Sequence, residues 1–127
     1  MKSIIMSIKG RHIRNMEAGK KRFEIRKSRP AGNPPFEVLL CQSGSGGNIV
    51  AAFTCPRVIE MEGSDAEIAA LAAITEEEVR GYHGTRKLYG WEIADFRRLR
   101  GEDAQHISDY GEGRAPMSWC YAKRRRT

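Results

Sequence analysis

The chain has 127 residues, of which 30% are charged and 40% hydrophobic, so it is long enough for one folded domain and too apolar for a disordered segment. No apolar run approaches the roughly 18 residues of a transmembrane helix, and the sequence therefore predicts no membrane partner. Its 22 lysines and arginines outnumber 16 aspartates and glutamates, and the net charge of +6 favours an anionic partner.

The N-terminal part of the chain predicts a strand, a helix and a second strand. Residues 1–9 predict the first strand, and Arg11 to Ala18 predict a short helix that ends at Gly19. Charged and apolar residues then alternate from Arg22 to Lys27, which is typical of a strand with one exposed face. In this strand we expect Phe23 and Ile25 to point inward and Arg22, Glu24 and Arg26 to point outward.

A hairpin is predicted after a loop that is rich in proline and glycine at residues 30–35. Phe36 to Gln42 form a mostly apolar segment, which predicts a strand that is covered on both faces. A glycine-rich turn at residues 43–48 leads into a strand from Ile49 to Thr54, and further extended structure is expected from Val58 to Met61.

Two capping boxes predict the next two helices. In each, a hydroxyl side chain precedes a glutamate by three residues, so that the two side chains satisfy each other's free backbone N–H groups. Ser64 and Glu67 introduce a helix over Ala66–Ala73, whereas Thr75 and Glu78 introduce one that ends near Gly81.

The last third of the chain predicts two strands and a polar connection. Residues 82–88 are ambiguous, while the aromatic and β-branched residues of Tyr89–Leu99 predict one strand. Gly101–Arg114 is a polar connection, and Met117–Ala122 supplies the last strand. Lys123–Arg126 predicts a frayed basic tail.

Strands therefore outnumber helices, and the helices fall in two groups between strands. This order predicts an α+β fold in which helices pack at the ends of a small mixed β-barrel. We expect one domain over residues 1–122 and a basic C-terminal tail over residues 123–127.

The charges are distributed unevenly along the chain. Nine basic residues lie between Lys9 and Arg29, together with only Glu17 and Glu24, whereas the segment Glu60–Glu78 has seven acidic residues and no basic one. This distribution predicts one positive surface for phosphates and a negative surface elsewhere. A solvated basic face without a partner is the alternative.

The cysteines and histidines give no indication of a metal site. Cys41, Cys55 and Cys120 are widely spaced and lie in predicted strands, which favours buried free thiols in a reduced, cytoplasmic protein. The paired spacings of a zinc site are missing from the sequence, because the three histidines are scattered among loops and helix ends: His12, His83 and His106. We therefore expect neither a metal nor a cofactor.

The segment from Gly19 to Arg26 has the pattern G-x-K-x-x-E-x-R, formed by Gly19, Lys21, Glu24 and Arg26. This pattern resembles the signature of the ASCH family, within the PUA-like superfamily. Three further segments are similar to ASCH proteins in the same order along the chain: Ile4–Lys9, Lys87–Ile93 and Pro116–Tyr121. The resemblance implies a PUA-like β-barrel and the recognition of RNA or of modified nucleobases.

The three polar residues of the signature can perform recognition or acid–base chemistry. A lysine binds phosphate as a point charge or acts as a base when desolvated, and a glutamate can orient it or accept an amino group. An arginine binds phosphate or stacks on a base. In a regular strand Lys21 would lie opposite Glu24 and Arg26, so a shared cleft requires Lys21 to lie in an irregular turn after Gly19. A surface ion-pair ladder is the alternative.

The aromatic residues near the C-terminus can stack on bases or fill the core. Tyr89 and Trp91 share a face of their predicted strand, and core packing is favoured for Trp91 because Ile93 continues that face. Ser118 is a candidate hydrogen-bond donor. The complete set of predicted nucleic-acid-binding residues is Lys9, Lys21, Glu24, Arg26, Tyr89, Ser118 and Tyr121.

Two functions from different classes follow from these residues. The first is a module that binds RNA or single-stranded nucleic acid in a basic cleft around the signature. The second is a small hydrolase with Lys21 and Glu24 in the active site. The resemblance implies two such activities, a ribonuclease and an acetylated-cytidine amidohydrolase. In the amidohydrolase branch a threonine occupies the position of Glu24, so this chain lacks that candidate nucleophile, whereas ribonuclease action stays open.

A regulatory protein that docks a partner through the acidic helices of Ser64–Gly81 is a third option. The sequence predicts no oligomeric state.

Overall fold

A computed structural model describes residues 1–82, 87–123 and 125. The elements are, in chain order, β1 (Lys2–Ile8), α1 (Gly10–Glu17), β2 (Phe23–Arg26), β3 (Phe36–Gln42), β4 (Asn48–Cys55), β5 (Val58–Glu60), α2 (Asp65–Ala72), α3 (Glu76–Tyr82), β6 (Tyr89–Glu92), β7 (Ala94–Arg98), β8 (Gln105–His106) and β9 (Trp119–Tyr121). Two short 3₁₀ helices, Gly101–Asp103 and Ile107–Tyr110, flank β8.

The strands form two sheets. The larger has the order β7-β4-β3-β1-β9, with β8 also paired to β4, and the smaller has the order β2-β6-β5. β1 and β3 are parallel, whereas β1 and β9 are antiparallel, so the first and last strands are neighbours. The predicted α+β class is confirmed. Among the described residues the two sheets do not close into one continuous barrel.

The core lies on both faces of the larger sheet. Ile4 and Met6 of β1 pack with Trp91 between the two sheets, whereas Ile5 lies on the opposite face with Ile107. β3 is likewise covered on both faces, as its continuous apolar sequence predicts. A third cluster fixes α2 and α3 against β2. The signature segment is therefore held between these two helices and the larger sheet.

The predicted hairpin and both capping boxes are confirmed. β3 and β4 are antiparallel, and the glycine-rich turn joins them. The backbone N–H of Glu67 donates to Ser64 Oγ, while that of Ser64 donates to the Glu67 carboxylate, and Thr75 with Glu78 repeats the arrangement.

The Ser64 cap provides a stability prediction. We expect Ser64→Ala to lower the free energy of unfolding by about 1 kcal/mol, because the N–H of Glu67 at the start of α2 loses its acceptor, Ser64 Oγ. Urea denaturation measures this loss. The exposed Ser43, which lies outside any helix terminus, is the matched control, and Ser43→Ala should change the stability by less than about 0.5 kcal/mol. Equal effects of the two substitutions would contradict the prediction.

The single strand predicted over Tyr89–Leu99 is wrong. The chain forms β6 and β7 instead, because β6 belongs to the smaller sheet and β7 pairs with β4 in the larger one. The chain crosses between the sheets at Ile93, whose N–H donates to Arg22 O over 3.0 Å. Two residues later, Asp95 has a φ of 49°. A regular alternation of aromatic residues gave no indication of this crossing.

The segment Gly101–Arg114 is more ordered than its polar composition predicts. Ile107 and Tyr110 are buried against the larger sheet, and the 3₁₀ helix that carries them is capped by His106. Two apolar side chains thus fix a connection that is otherwise polar.

Some predicted features lie partly or wholly outside the described residues. These are His83, most of the ambiguous segment 82–88, and Arg124 and Arg126 of the basic tail. Within the described ranges, none of the helices is long and apolar enough to cross a membrane.

Candidate nucleic-acid interface

The turn after α1 places Lys21 ahead of β2 and outside its alternation. Gly19 has a φ of 74°, a conformation that favours glycine, and it ends the helix. The N–H groups of Lys20 and Lys21 then both donate to Asn15 O, over 2.9 and 3.1 Å. Lys21 therefore lies in the irregular turn that a shared site with Glu24 requires.

Lys21 is buried and has two partners for its ammonium group. Its Nζ donates to Ala72 O at 2.6 Å and lies 3.1 Å from Glu24 Oε1. Ala72 is the last residue of α2, where carbonyl groups lack partners within the helix and where a cation is favoured by the helix dipole. Lys21 thus links the end of α2 to the carboxylate of Glu24.

The prediction that Glu24 points outward is wrong, because it is only 5% exposed, whereas Arg22 is exposed as predicted. Arg26 Nε donates to Glu24 Oε2 at 2.8 Å, so the carboxylate has a cation on each oxygen. Burial opposes ionisation of Glu24, but the charges of Lys21 and Arg26 outweigh it and lower the pKa of this carboxyl. The sequence pattern gave no sign of burial here because every second residue is charged.

Arg26 is fixed by partners on three of its neighbouring segments. Nη2 donates to Ser7 O at 2.9 Å, and Nη1 donates to Ser118 Oγ at 3.0 Å, in addition to the bond from Nε to Glu24. All three guanidinium nitrogens therefore have acceptors, and Arg26 connects β2 with β1 and with the residue before β9.

A cleft of about 310 Å³ opens beside this network. Glu24 and Arg26 form its floor, and α3 contributes Glu78 and Tyr82 to one wall. Lys21 is not among the residues that line the cleft, and its ammonium bonds to Ala72 O and Glu24. The remaining lining residues come from the end of β1, the start of α1 and two loops: Ser7, Ile8, Lys9, Arg11, His12, Ser43 and Met117.

The N-terminus of α1 also lines the cleft, through Lys9, Arg11 and His12. Lys9 is the N-cap residue and is exposed, and the first turn contains no acidic residue. Unpaired N–H groups and the helix dipole make such a terminus attractive to anions. Arg11 adds a second positive charge and pairs with Glu78, with Nη2 2.9 Å from Oε2.

The acidic helix α3 contacts the basic segment through Glu78, which pairs with Arg11. Arg11 bonds to Glu78 and lowers the pKa of this carboxyl to about 2. Glu78 partly neutralises the wall of the cleft, so Lys9 is the stronger candidate for an anion contact.

His12 is a cleft residue that sequence reasoning missed. Burial and the nearby charge of Lys21 lower its pKa to about 4, so the imidazole is neutral at pH 7. Its Nδ1 is buried and has no hydrogen-bond partner among the described residues. A single histidine within a short helix belongs to no motif, and the sequence offers no signal by which it could be found.

The other predicted site residues are dispersed. Ser118 contacts Arg26 at the edge of the cleft, and Trp91 is fully buried in the core, as predicted. Tyr89 is half-buried, with Arg29 over its ring at 5.8 Å, and is not part of the cleft. Tyr121 is 42% exposed at the far end of β9, where it lines a different cavity.

The thiols and potential metal ligands are unconnected. Cys41, Cys55 and Cys120 are free; the first two are buried as predicted and the third is half-buried. No group of three histidine, cysteine, aspartate or glutamate side chains converges as metal ligands within the described ranges.

Comparison of the sequence with protein-family models gave no match. Comparison with curated proteins gave none either. Solved structures do match: the chain resembles the crystal structure of ASCH from Zymomonas mobilis with a TM-score of 0.77 at 15% identity, over 97% of this chain and 89% of that one. Two mutant forms of that protein match with TM-scores of 0.77 and 0.78 at 15% and 14% identity, over 98% and 97% of this chain and 92% and 89% of theirs. The chain therefore has the ASCH fold that its signature predicts.

Proposed function

We propose that this chain, which has the ASCH fold, is a member of the ASCH family and binds RNA or another single-stranded nucleic acid, with one nucleotide held in the cleft. One observation carries this proposal. The ionised carboxylate of Glu24, fixed by Lys21 and Arg26, lines the same cleft as the cationic N-terminus of α1. Such a cleft offers an acceptor for a base and a positive charge for its phosphate.

The base is recognised by the floor of the cleft. A carboxylate accepts N–H groups from the edge of a nucleobase, and a fixed negative charge on Glu24 selects an edge that donates. The N–H groups of Arg26 are already used by Glu24, Ser7 and Ser118. Its guanidinium therefore contributes a planar face on which a base can stack.

The phosphate is bound by Lys9 and by the positive end of the α1 dipole. Lys9 is exposed and lies at the N-cap, so its side chain can move to bring the ammonium group to a phosphate. The free thiols of Cys41, Cys55 and Cys120 are compatible with a reducing, cytoplasmic setting for this activity.

Lys9→Ala tests the proposal. We expect it to weaken the binding of single-stranded RNA by about tenfold at low salt, and to reduce the slope of log affinity against log salt by about 0.7, which corresponds to one phosphate contact. Fluorescence anisotropy with a labelled oligonucleotide measures both quantities.

Lys20→Ala is the matched control, because Lys20 is an equally exposed lysine beyond the other end of α1. It should leave the affinity and the salt slope nearly unchanged. If both variants bind like the unchanged chain, the cleft is not the site. A double variant of Lys21 and Arg26 would be a poorer test, because Lys21 is buried and its loss destabilises the fold.

Ribonuclease action is the second candidate, and the state of His12 favours it. The His12 imidazole is neutral at pH 7 and lies in the same cleft as Glu24, where it can accept a proton, but a pKa of about 4 makes it a weak base and predicts slow cleavage. Lys21 is less suited to this role than the sequence suggests, since its Nζ bonds to Ala72 O and to Glu24 and lies outside the cleft. In this reading Lys21 positions Glu24 and His12 is the base.

Incubation of labelled single-stranded RNA followed by a denaturing gel separates the two functions. Intact RNA with retained binding supports a pure binding module. Cleavage that His12→Asn abolishes, while binding persists, would instead establish the ribonuclease.

A further inference from the structure

A second cavity lies at the opposite end of β9 from the cleft. It has a volume of about 650 Å³, and its walls carry several cations and two tyrosines. The residues relevant here are Lys2, Tyr110, Tyr121, Lys123 and Arg125. Tyr121 is 42% exposed, and its ring is contacted by Lys2 and by Trp119.

Two chain segments run side by side from the cleft to this cavity. One is the segment 26–31 and the other is the segment 118–121, which contains β9. They are joined at three successive places: Arg26 bonds to Ser118, Trp119 Nε1 donates to Ser28 Oγ at 2.9 Å, and the N–H of Ala31 donates to Tyr121 Oη at 2.9 Å. At about 3.3 Å per residue, the segment from Ser118 to Lys123 spans on the order of 16 Å.

These two segments form a path from the cleft to the cavity, and basic side chains lie along its whole length. Lys27 and Arg29 are exposed on the first segment, between the cleft and the cavity. Lys2 lies 5.4 Å from the centre of the Tyr121 ring. Beyond it, Lys123 and Arg125 have exposed side chains and only long contacts to carboxylates, 3.8 Å to Glu112 and 4.0 Å to Asp109.

These long surface pairs are weak, so the two cations can exchange their carboxylate partners for phosphate at little cost. The cavity also contains Glu37, but this carboxylate is paired to Arg97 at 2.9 Å. The net charge of the path is therefore positive.

We propose that the nucleic-acid strand whose nucleotide occupies the cleft continues along the segments 26–31 and 118–121 into the second cavity. Its phosphates contact Lys27 and Arg29 and then the cations of the cavity, while a base contacts the exposed part of the Tyr121 ring. Exposed aromatic rings next to a positive track are the usual means of binding single strands without a fixed sequence. This inference rests on the proposed function and assigns the ligand a length and a direction.

The test compares a dinucleotide with an octanucleotide of single-stranded RNA. The triple variant Lys2→Gln/Lys123→Gln/Arg125→Gln removes the cations of the cavity and leaves the cleft intact. We expect the octanucleotide to bind about tenfold more weakly to this variant at low salt, with a salt slope reduced by about 2, and the dinucleotide to bind as before.

Lys20→Gln/Arg22→Gln/Arg80→Gln is the matched control, because it removes the same charge from exposed positions outside both cavities. Equal losses in the two triple variants would show a nonspecific effect of net charge and overturn the inference. An octanucleotide that binds no more tightly than the dinucleotide would also overturn it. The proposed function fails separately, when Lys9→Ala leaves the affinity for both oligonucleotides unchanged.

Discussion

Lys21→Ala should lower the free energy of unfolding by about 3–5 kcal/mol, which is the largest effect that we expect from any single substitution in the signature. The ammonium of Lys21 is almost fully buried, and it is the partner of Glu24 Oε1 and of Ala72 O. Its removal leaves a buried carboxylate with one cation fewer and a helix carbonyl without a donor. Urea denaturation, followed by fluorescence of the two tryptophans, measures the loss.

A double-mutant cycle shows whether the pair itself is responsible. The losses for Lys21→Ala and Glu24→Ala should add up to more than the loss for the double variant, because the second substitution removes a carboxylate that has already lost one of its two cations. Lys20→Ala, at an exposed neighbouring lysine, should cost less than about 0.5 kcal/mol. A loss below about 1 kcal/mol for Lys21→Ala would show that the buried pair does not anchor α2 to β2.

Stability should fall as the pH is lowered from about 6.5 towards 4, and His12 is the cause. Its pKa is lowered from 6.5 to about 4 in the fold, so between these values the unfolded chain binds a proton that the folded chain does not. The stability that neutral His12 contributes to the fold is thus fully present above pH 6.5 and is lost as the pH falls towards 4. A pKa shift of this size corresponds to a loss of about 3 kcal/mol in the free energy of unfolding. Partial exposure of the ring reduces the expected loss to about 2 kcal/mol.

His12→Asn is the control, because asparagine does not titrate in this range. The unchanged chain should lose stability between pH 7 and pH 5, whereas the variant should lose less. The charged groups that face His12 are Lys21, Glu24, Arg11 and Glu78. The pKa values of Glu24 and Glu78 are both lowered, and that of Glu78 is about 2. These two carboxyls therefore titrate mostly below the pH range in which His12 acts. Parallel pH profiles for the two chains would contradict the role of His12.

The elements with strong local signals were predictable from the sequence. Paired hydroxyl and carboxylate side chains identified both helices of the acidic segment, and a glycine-rich turn between apolar runs identified the hairpin of β3 and β4. The crossing at Ile93 was not predictable, because it depends on which sheet each half of the segment joins. Local alternation is the same in one strand and in two strands that diverge.

The charged network of the candidate site was predictable in its members but not in its geometry. The signature named Lys21, Glu24 and Arg26, and they do form one network. Alternation in the sequence nevertheless predicts that Glu24 is solvated, because burial of a charge requires partners that come from distant parts of the chain. Ala72 and Ser118 supply such partners, and no local pattern indicates them.

The neighbouring positions of β1 and β9 have a consequence for the order in which the molecule assembles during translation. Ser7 Oγ donates to Pro116 O at 2.6 Å, and Arg26 donates to Ser118, which lies 92 residues further along the chain. A nascent chain can complete its hairpin early, because those contacts are local, whereas contacts between distant residues form late. The cleft is therefore finished only when the last strand has left the ribosome, and ligand binding by nascent chains of increasing length would report that moment.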